Sequence, residues 1–391
     1  MKILIATSLA GSWPYIPEML EEFRNRGHLV EVFDTTDCQP REIVSKLAFK
    51  IPKLQHRATV AVLRRRLAKL ATDFDAVNIH FADPIYRYLV PLLKRRGKKL
   101  ITSIWGSDFL RASPAALHDL GVTFAASDVV TSNNPEILEK IVAHYPNISG
   151  RVRIVPFGLG SLDVIAALQR SESQEETREK LGIPLHKVVV TCGYNAGRAQ
   201  QHDIMVDALA MISPVAKSRI FVIVPMTYPN DPVYRQEVKS FLESAQINYR
   251  IMDTKLSIED NCRIRIASDY AVNVQTTDSL SASLQEHMFA GSSMIVGKWL
   301  PYDILEKMGV RLHKVENAKE IGVTLEREIQ ERQGHRTKPE YADKLYDYSS
   351  WASNGPRWLA LYGGNESHVH SWDHSASTNL GRDEHALDLR R

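Results

Sequence analysis

The sequence predicts an α/β protein made of two doubly wound domains, each built on a parallel sheet. Short apolar runs of strand length alternate with helical patterns from residue 2 to about residue 316, as in sheets whose parallel strands are joined by crossover helices. The length of 391 residues suits two or three domains. A composition of 44% hydrophobic and 24% charged residues argues against a disordered, collagen-like or coiled-coil protein.

The first half of the chain contains two helical patterns and six strand patterns. The first helix opens near Pro17 and closes at Gly27, because proline suits the first turn of a helix and glycine its exit. The second helix covers residues 54–70 and is basic on one side. The predicted strands are residues 3–6, 29–33, 76–79, 100–104, 129–132 and 153–155.

The second half repeats this alternation after a turn at residues 156–160 and a polar stretch at 171–178, which we interpret as a surface approach. The predicted strands are residues 188–192, 220–224, 249–252, 270–273 and 294–296. The predicted helices are residues 202–212, 234–245, 258–267 and 283–289. A late helical segment at 341–362 lies outside the alternation, and the polar residues 363–391 predict a disordered tail. We therefore expect one domain at 1–160 and another at 161–340.

Two absences in the sequence narrow the class of protein. No apolar run approaches the roughly 18 residues of a membrane span, and the N-terminus leads into a strand pattern without a signal-peptide core, so we expect a cytoplasmic protein. Cys38, Cys192 and Cys262 have no metal or redox spacing, which argues against a disulfide framework and a zinc site.

In open α/β sheets, ligands bind beyond the carboxyl ends of the strands, so polar residues there are the first candidates. In the first half these are His80, Asp108, and the small-residue loop that holds Gly11 and Ser12. Glycine lets the backbone approach a ligand, but this loop lacks the three-glycine dinucleotide fingerprint. The alternatives are a buried hydrogen-bonded histidine, a helix-capping aspartate and a plain turn.

A glycine-rich loop at residues 193–198 follows a strand and precedes a helix. It contains Gly193, Asn195 and Arg198. A guanidinium close to a helix N-terminus suits phosphate groups, so Arg198 is the candidate phosphate ligand. The alternative is a solvated loop arginine.

The most informative segment runs from Asp278 to Gly291. Small residues follow Asp278, so a loop and a helix N-terminus could contact a ligand through backbone amides. Glu286 lies one turn inside a helix that is otherwise apolar, where a carboxylate is costly unless it accepts hydrogen bonds. Ribose hydroxyls are suitable donors, and the alternative is that protein groups satisfy the carboxylate.

At these residues the chain resembles the GT-B glycosyltransferases, and in particular the retaining group typified by family 4 of the glycosyltransferase classification. The resemblance extends to about Tyr362. Its most specific element is an acid, seven intervening residues, a glutamate and a small-residue turn, matched at Asp278, Glu286 and Ala290-Gly291.

Two other positions match the family only in part. The strand-glycine-arginine element is matched at Gly193 and Arg198, but Gln201 takes the place of the usual lysine, which removes a positive charge from the expected diphosphate site. Trp105 stands where many relatives have a histidine, so no imidazole is available there for the donor sugar.

The resemblance implies two Rossmann-like domains that face a cleft, with residues 341–362 crossing back to the first domain. It also implies that the first domain, 1–160, holds the acceptor and that the second, 161–340, binds the nucleotide sugar. It implies transfer of a sugar from a nucleotide diphosphate sugar to an acceptor hydroxyl, with retention, as in bacterial polysaccharide or glycolipid assembly. No cofactor and no metal ion are expected. The catalytic candidates are Asp278, Asp108 and His80. The donor-binding candidates are Glu286, Arg198, Gly193, Asn195, Gln201, Ser279, Leu280 and Ser281, while Gly11 and Ser12 are candidates for an acceptor or phosphate loop.

The positive charge of the chain is concentrated in the first half. Residues 1–150 carry 20 Lys and Arg against 15 Asp and Glu, and residues 43–72 contain no carboxylate. We expect this stretch to bind an anionic membrane at the inner face of the plasma membrane; the alternative is a solvated helical face. A nucleic-acid partner is not expected, because no aromatic-interleaved basic motif is present. The basic residues in question are Lys46, Lys50, Lys53, Arg57, Arg64, Arg65 and Arg66.

Two other functions stay open at this point. A sugar-nucleotide epimerase with the GT-B fold would use the same nucleotide cleft, and a catalytically silent subunit would bind the nucleotide sugar without turning it over.

Overall fold

The computed structural model describes residues 1–8, 15–37, 52–331, 339–364 and 370–371, and it confirms two parallel sheets flanked by helices. The strands are β1 Lys2–Thr7, β2 Leu29–Asp34, β3 Phe74–His80, β4 Gly97–Ser103, β5 Val129–Ser132, β6 Val152–Ile154, β7 Val188–Cys192, β8 Ile220–Pro225, β9 Tyr249–Met252, β10 Tyr270–Asn273, β11 Ser293–Gly297, β12 Leu312–Val315 and β13 His370–Ser371.

The helices lie between these strands and at the end of the chain. They are α1 Tyr15–Asn25, α2 Pro52–Ala68, α3 Val90–Leu93, α4 Ser107–Leu110, α5 Pro114–Ala126, α6 Pro135–His144, α7 Ser161–Ser171, α8 Gln174–Lys180, α9 His202–Met211, α10 Pro214–Arg219, α11 Pro232–Ser244, α12 Ile258–Ala267, α13 Ala282–Phe289, α14 Asp303–Lys307, α15 Ala318–Glu331, α16 Ala342–Ser349 and α17 Trp351–Gly363. Short 3₁₀ helices cover Pro84–Tyr88, Pro146–Arg151 and Arg198–Gln200.

The first sheet has the order β2-β1-β3-β4-β5-β6, and these six strands are parallel. β1 lies between β2 and β3, where Ile3 pairs with Val30 on one side and Ala76 on the other. Residues 3–6 of β1 are completely buried, as expected for a parallel strand covered on both faces. The strand order reverses at β1, which makes a crevice at the carboxyl ends of β1 and β3.

The second sheet has the order β9-β8-β7-β10-β11-β12, and all its strands are parallel. Its order reverses between β7 and β10. The loops that follow β7 and β10 therefore begin side by side, and these are the two second-domain loops that the sequence marked as candidates.

The structure corrects several details of the sequence-based expectation. Residues 171–178, expected as a polar surface approach, are largely helical: they include the end of α7 and most of α8, and Ser173 and Glu176 form a capping box at the start of α8. The segment 341–362 is two helices that break at Ser350. Of the tail expected to be disordered, residues 370–371 form β13, which pairs antiparallel with β6.

The last helix, α17, returns to the first domain. Trp358 is completely buried in a core with Ile3 and Ile5, and Tyr362 accepts a hydrogen bond from Asn78 Nδ2 at 2.9 Å. The C-terminal helix thus stabilises the first sheet, although almost the whole chain separates the two in sequence.

Among the described residues, none of the helices combines the length and the apolar character that crossing a bilayer requires.

Candidate active site

A cavity of about 560 Å³ lies between the two sheets, where loops from the carboxyl ends of their strands meet. Ligands of open α/β sheets bind in this position. The side chains that line it and matter below are Tyr15, Glu18, Trp105, Arg111, Asn133, Phe157, Ser161, Asn195, Arg265, Asp278, Ser279, Leu280, Ser281 and Glu286.

Glu286 lies at the cavity wall and is 5% exposed. Its Oε1 accepts a hydrogen bond from Ser161 Oγ at 2.7 Å, and its Oε2 accepts one from Arg265 Nε at 3.1 Å. Protein groups therefore satisfy both oxygens, which is the alternative considered for this carboxylate. Each oxygen has a second lone pair, so the carboxylate can still accept from a ligand hydroxyl.

Arg265 is the partner that sequence reasoning missed. The residue is 3% exposed and lines the cavity from α12, and its Nη1 is buried without a hydrogen-bond partner. A buried guanidinium N–H without a partner is costly, so an anion at this point would gain a strong donor. The sequence did contain a signal for this residue. Arg265 is a cation that lies between two apolar residues, Ile264 and Ile266, within a predicted helix.

Asp278 also lines the cavity, immediately before α13. Its Oδ2 accepts hydrogen bonds from the Tyr302 hydroxyl at 2.5 Å and from the Ser281 backbone N–H at 3.0 Å. Burial raises the pKa of Asp278, and these hydrogen bonds oppose the shift. Protein groups thus hold Asp278 beside the N-terminus of α13.

The loop between Asp278 and α13 is held against the first domain. Asn134 Nδ2 donates to the Ser279 carbonyl at 2.6 Å, and Asn133 Nδ2 donates to the Leu280 carbonyl at 3.4 Å. Gly106, with φ of 109°, lies so close that a Cβ there would be 2.6 Å from Ser279 Cβ. The backbone of this loop therefore faces both the cavity and the first domain.

Arg198 does not line the cavity, and its expected contact with phosphate is not supported. Its side chain is 58% exposed and forms hydrogen bonds with Glu237 at 2.8 and 3.0 Å, while its guanidinium lies over the Tyr234 ring. The carboxylate of Glu237 attracts the guanidinium away from the cleft, so the alternative of a solvated loop arginine describes it better.

The rest of that loop is structural, except for one side chain. Gly193 has φ of 65° and makes the turn after β7. Gln201 is also left-handed and donates to the Val274 carbonyl, so it does not reach the cavity either. Asn195 lines the cavity and accepts a hydrogen bond from the Gly197 backbone N–H at 2.7 Å.

Asp108 and His80 lie behind the cavity wall. Asp108 accepts hydrogen bonds from the backbone N–H groups of Ala82, Trp105 and Gly106, and burial raises its pKa to about 6. His80 is completely buried, neither ring nitrogen has a hydrogen-bond partner, and burial lowers its pKa to about 3. Both side chains are therefore placed to support the wall, and the expectation that they contact a ligand is not supported.

The remaining expected residues are placed as follows. Gly11, Ser12, Lys46 and Lys50 lie outside the described residues, and for Lys53 only the backbone is described. Arg57, Arg64 and Arg65 are exposed on α2. Arg66 is turned towards the sheet, where it donates to the Asp34 carbonyl at 3.2 Å and pairs with Asp37 at 3.0 Å.

Arg111 is a further residue that the sequence did not single out. Its Nε donates to Thr277 Oγ1 at 2.8 Å and its Nη2 to the Thr277 carbonyl at 3.0 Å. These bonds cross from the first domain to the loop before Asp278. Arg111 thus contributes to the contact between the domains at the rim of the cavity.

Comparison with known proteins places this geometry in a class. Residues 10–159 match the family model Glycosyltransferase Family 4. A sucrose-phosphate synthase from Thermosynechococcus elongatus has a TM-score of 0.71 and 13% identity, over 93% of this chain and 98% of that one. HepE from Anabaena, in complex with UDP and glucose, has a TM-score of 0.66 and 13% identity, over 93% of this chain and 100% of that one.

A UDP-forming α,α-trehalose-phosphate synthase from Burkholderia xenovorans is similar in the same way, with a TM-score of 0.69 and 10% identity over 92% of this chain and 98% of that one. No curated protein matches the sequence significantly. The chain therefore has the GT-B fold of the glycosyltransferases, as expected. More narrowly, residues 10–159 are similar to Glycosyltransferase Family 4.

Proposed function

We propose that the protein transfers a sugar from a nucleotide diphosphate sugar to the hydroxyl of an acceptor, with retention of the anomeric configuration. The observation that carries this proposal is the buried pair of Arg265 and Glu286 on the wall of the interdomain cavity, next to the N-terminus of α13. A carboxylate, a cation and a helix N-terminus together can bind ribose hydroxyls and a diphosphate.

Each group has a separate role in this proposal. Glu286 accepts hydrogen bonds from the ribose, and Arg265 Nη1 donates to a diphosphate oxygen. The first N–H groups of α13 face the same negative charge, which grows on the diphosphate as it leaves. Asp278 lies beside the donor sugar. In this proposal Arg265 supplies the positive charge that Arg198, which pairs with Glu237, and the uncharged Gln201 do not bring to the cavity.

The reaction needs no cofactor. The bond between the anomeric carbon and the diphosphate oxygen breaks, and a bond from that carbon to the acceptor oxygen forms on the same face of the sugar. The acceptor proton passes to the leaving phosphate oxygen, so atoms and charge balance without a separate general base. We propose that a metal ion is not required, because Arg265 and the amides of α13 stabilise the leaving group.

The first test is a donor screen with the full-length protein. HepE is in complex with UDP and glucose, and a similar structure from E. coli is bound with UDP-2-fluoro glucose. UDP and UDP-sugars are therefore compared with GDP, ADP and their sugars by thermal shift. One nucleotide diphosphate should raise the melting temperature, and its sugar should be hydrolysed slowly or transferred, unchanged by EDTA. Epimerisation of the donor without acceptor, or the absence of any nucleotide effect, would contradict the proposal.

We also propose that the enzyme binds peripherally to the anionic inner face of the plasma membrane, where acceptors for glycolipid or polysaccharide assembly are found. The support is the exposed row of Arg57, Arg64 and Arg65 on α2 of the acceptor-side domain. Near anionic lipid, each basic residue contributes about 1 kcal/mol, so several are enough for reversible attachment.

A further inference from the structure

The first-domain wall of the cavity is a stack of aromatic rings. Trp105 and Phe157 both line the cavity, with ring centroids 4.3 Å apart and ring planes 29° apart. Behind them, Phe157 stacks on Trp358 at 5.8 Å and 15°. Tyr15 lines the same wall, with its ring 6.0 Å from that of Trp105. The three stacked rings lead from the core to the surface of the cavity.

This stack is held rigidly and carries no charge. Trp358 is completely buried, and its Nε1 donates to the Pro156 carbonyl at 3.0 Å. His80 contacts all three stacked rings, at centroid distances of 6.1, 5.9 and 5.5 Å. Since burial strongly disfavours its protonated form, the imidazole adds no cation to the wall. An aromatic surface that is already ordered binds a flat apolar partner at a low entropic cost.

The same wall offers little to an anion. The acidic side chain of Glu18 lines it and accepts hydrogen bonds from the Gly160 backbone N–H at 3.1 Å and from Trp351 Nε1 at 3.2 Å. Among the described first-domain residues that line the cavity, Arg111 is the cation, and it donates across the cleft to Thr277. Residues 9–14, outside the described part of the chain, include no Lys or Arg. A phosphate on an acceptor at this wall would therefore face the Glu18 carboxyl, while Lys255 and Arg265 line the cavity from the second domain.

We infer that the acceptor is an uncharged ring with a flat apolar face, which stacks on Trp105 and presents its hydroxyl to the donor, and that it is not a sugar phosphate. This inference rests on the proposed transfer reaction and specifies its acceptor. A neutral pyranose ring has such a face, made of ring C–H groups, while its hydroxyls can donate to Glu18 at the edge. An aryl alcohol shares the flat apolar chemistry but lacks the ring of hydroxyls.

The test compares three kinds of acceptor with the full-length enzyme and the nucleotide sugar that binds it. Methyl glycosides of neutral pyranoses are compared with the corresponding 6-phosphates and with aryl alcohols at equal concentration. The neutral pyranosides should have the highest kcat/KM. Higher kcat/KM for the 6-phosphates would overturn the inference. A higher kcat/KM for aryl alcohols would support an uncharged ring as the acceptor that stacks on Trp105, and it would reject a pyranose as that ring.

Substitution of the stacking ring gives a second, independent readout. In Trp105→Ala the acceptor KM should rise about fivefold, since a stacked ring is worth on the order of 1 kcal/mol, while the affinity for the nucleotide diphosphate is unchanged. Trp105→Phe should recover most of the loss. The matched control is Phe241→Ala, which removes an exposed ring on α11 that is not part of the cavity wall. An acceptor KM that is the same in Trp105→Ala and Phe241→Ala would overturn the inference.

Failure of this inference and failure of the proposed function give different results. If no nucleotide diphosphate binds, the proposed function is wrong. If the nucleotide binds but no acceptor is turned over, acceptor binding to the nucleotide complex is measured by calorimetry for the wild type and Trp105→Ala. Tighter binding of the neutral pyranoside than of its 6-phosphate, weakened by Trp105→Ala, would support the inference; the reverse preference would overturn it.

Discussion

Arg265 Nε donates to Glu286 Oε2 at 3.1 Å, and both side chains are almost fully buried at the wall of the interdomain cavity. Burying two charges is favourable only with good geometry and further hydrogen bonds. Glu286 has such a bond from Ser161, whereas Arg265 Nη1 has none. This asymmetry leaves Arg265 Nη1 available to donate to a ligand that carries negative charge, as the proposed function requires.

The Arg265→Met substitution should weaken binding of the nucleotide diphosphate by about 10- to 100-fold, since a hydrogen bond to a charged group is worth about 1.5 to 3 kcal/mol. Uridine or another nucleoside without phosphate should bind the variant and the wild type alike. Calorimetric titration with nucleoside, monophosphate and diphosphate measures this difference directly.

The control for this prediction is Arg198→Met, which removes an exposed guanidinium and should leave nucleotide affinity unchanged because a surface ion pair contributes little. Since Arg265→Met leaves Glu286 buried without its cation, it should also destabilise the fold. The double variant Arg265→Met/Glu286→Met should recover part of that stability without recovering the affinity. If Arg198→Met lowers the diphosphate affinity more than Arg265→Met does, the two arginines have been assigned the wrong way round.

Because Gly106 lies so close to Ser279, we expect a methyl group added at Gly106 to push the two domains apart. In Gly106→Ala the new Cβ would meet Ser279 Cβ at 2.6 Å and would also require a left-handed residue at φ of 109°. We expect the free energy of unfolding to fall by about 1 to 3 kcal/mol and turnover to fall with it. Urea unfolding and a transfer assay measure the two effects.

Gly309→Ala is the matched control for that substitution. Gly309 has φ of 97°, but no atom lies within 4 Å of the position of its Cβ. It therefore carries the backbone strain without the collision. The difference between the two variants isolates the contact between the domains, and equal losses of stability and turnover would refute a special role for the contact at Ser279.

The sequence predicted the site residues that lie close to one another in the chain. Asp278 and Glu286 belong to one loop and the helix that follows it, so their spacing was enough to place both at the cavity. The partners of Glu286 are not local, because Arg265 is 21 residues away and Ser161 is 125 residues away. Only the packing of α7, α12 and α13 brings these groups together.

The placement of the Arg198 side chain depends on a residue that is distant in the chain. The glycine-rich loop has the position that the sequence predicts, after β7 at the reversal of strand order. The guanidinium nevertheless pairs with Glu237, which is 39 residues further along the chain. No local pattern around residue 198 contains that information.

The strands that consist mainly of apolar residues were predicted, including the edge strand β9, and a strand with polar residues at its centre was missed. β7 reads as Val188–Cys192 in the sequence and in the structure, and all its residues are buried. β12 was missed, since two polar residues, His313 and Lys314, make up the centre of this four-residue strand. A short strand with only two apolar residues leaves too weak an apolar pattern to separate it from a loop.

Replacement of Arg57, Arg64 and Arg65 by serine should weaken binding to anionic vesicles by roughly 3 kcal/mol in total, since each basic residue contributes about 1 kcal/mol near such a surface. The wild-type protein should sediment with phosphatidylglycerol vesicles at low salt and dissociate as salt is added. It should not bind neutral phosphatidylcholine vesicles.

A second triple variant controls for the loss of net charge. Arg219, Lys239 and Lys319 are exposed in the second domain, so their replacement by serine removes the same charge from a different surface. This variant should bind vesicles almost as well as the wild type. Equal weakening in both triple variants would reject a specific membrane-binding face on α2.

The buried His80 should make the protein less stable as the pH falls. Its pKa is lowered to about 3 in the folded state, whereas an unfolded histidine has a pKa of about 6.5. Between these values the unfolded chain binds more protons, so the free energy of unfolding falls as the pH is lowered from about 6.5 towards 3. Between about pH 6.5 and pH 5 the loss should approach 2 kcal/mol.

His80→Leu should remove this part of the pH dependence while costing little at pH 7, because neither ring nitrogen has a hydrogen-bond partner to lose. His202, whose pKa burial lowers to about 4, stays in both proteins, so some dependence should persist. Urea unfolding at a series of pH values compares the two proteins. If the free energy of unfolding has the same pH dependence in the wild type and in His80→Leu, His80 can be protonated without leaving its place among the aromatic rings. The cavity wall that we infer to be neutral would then carry a cation at low pH.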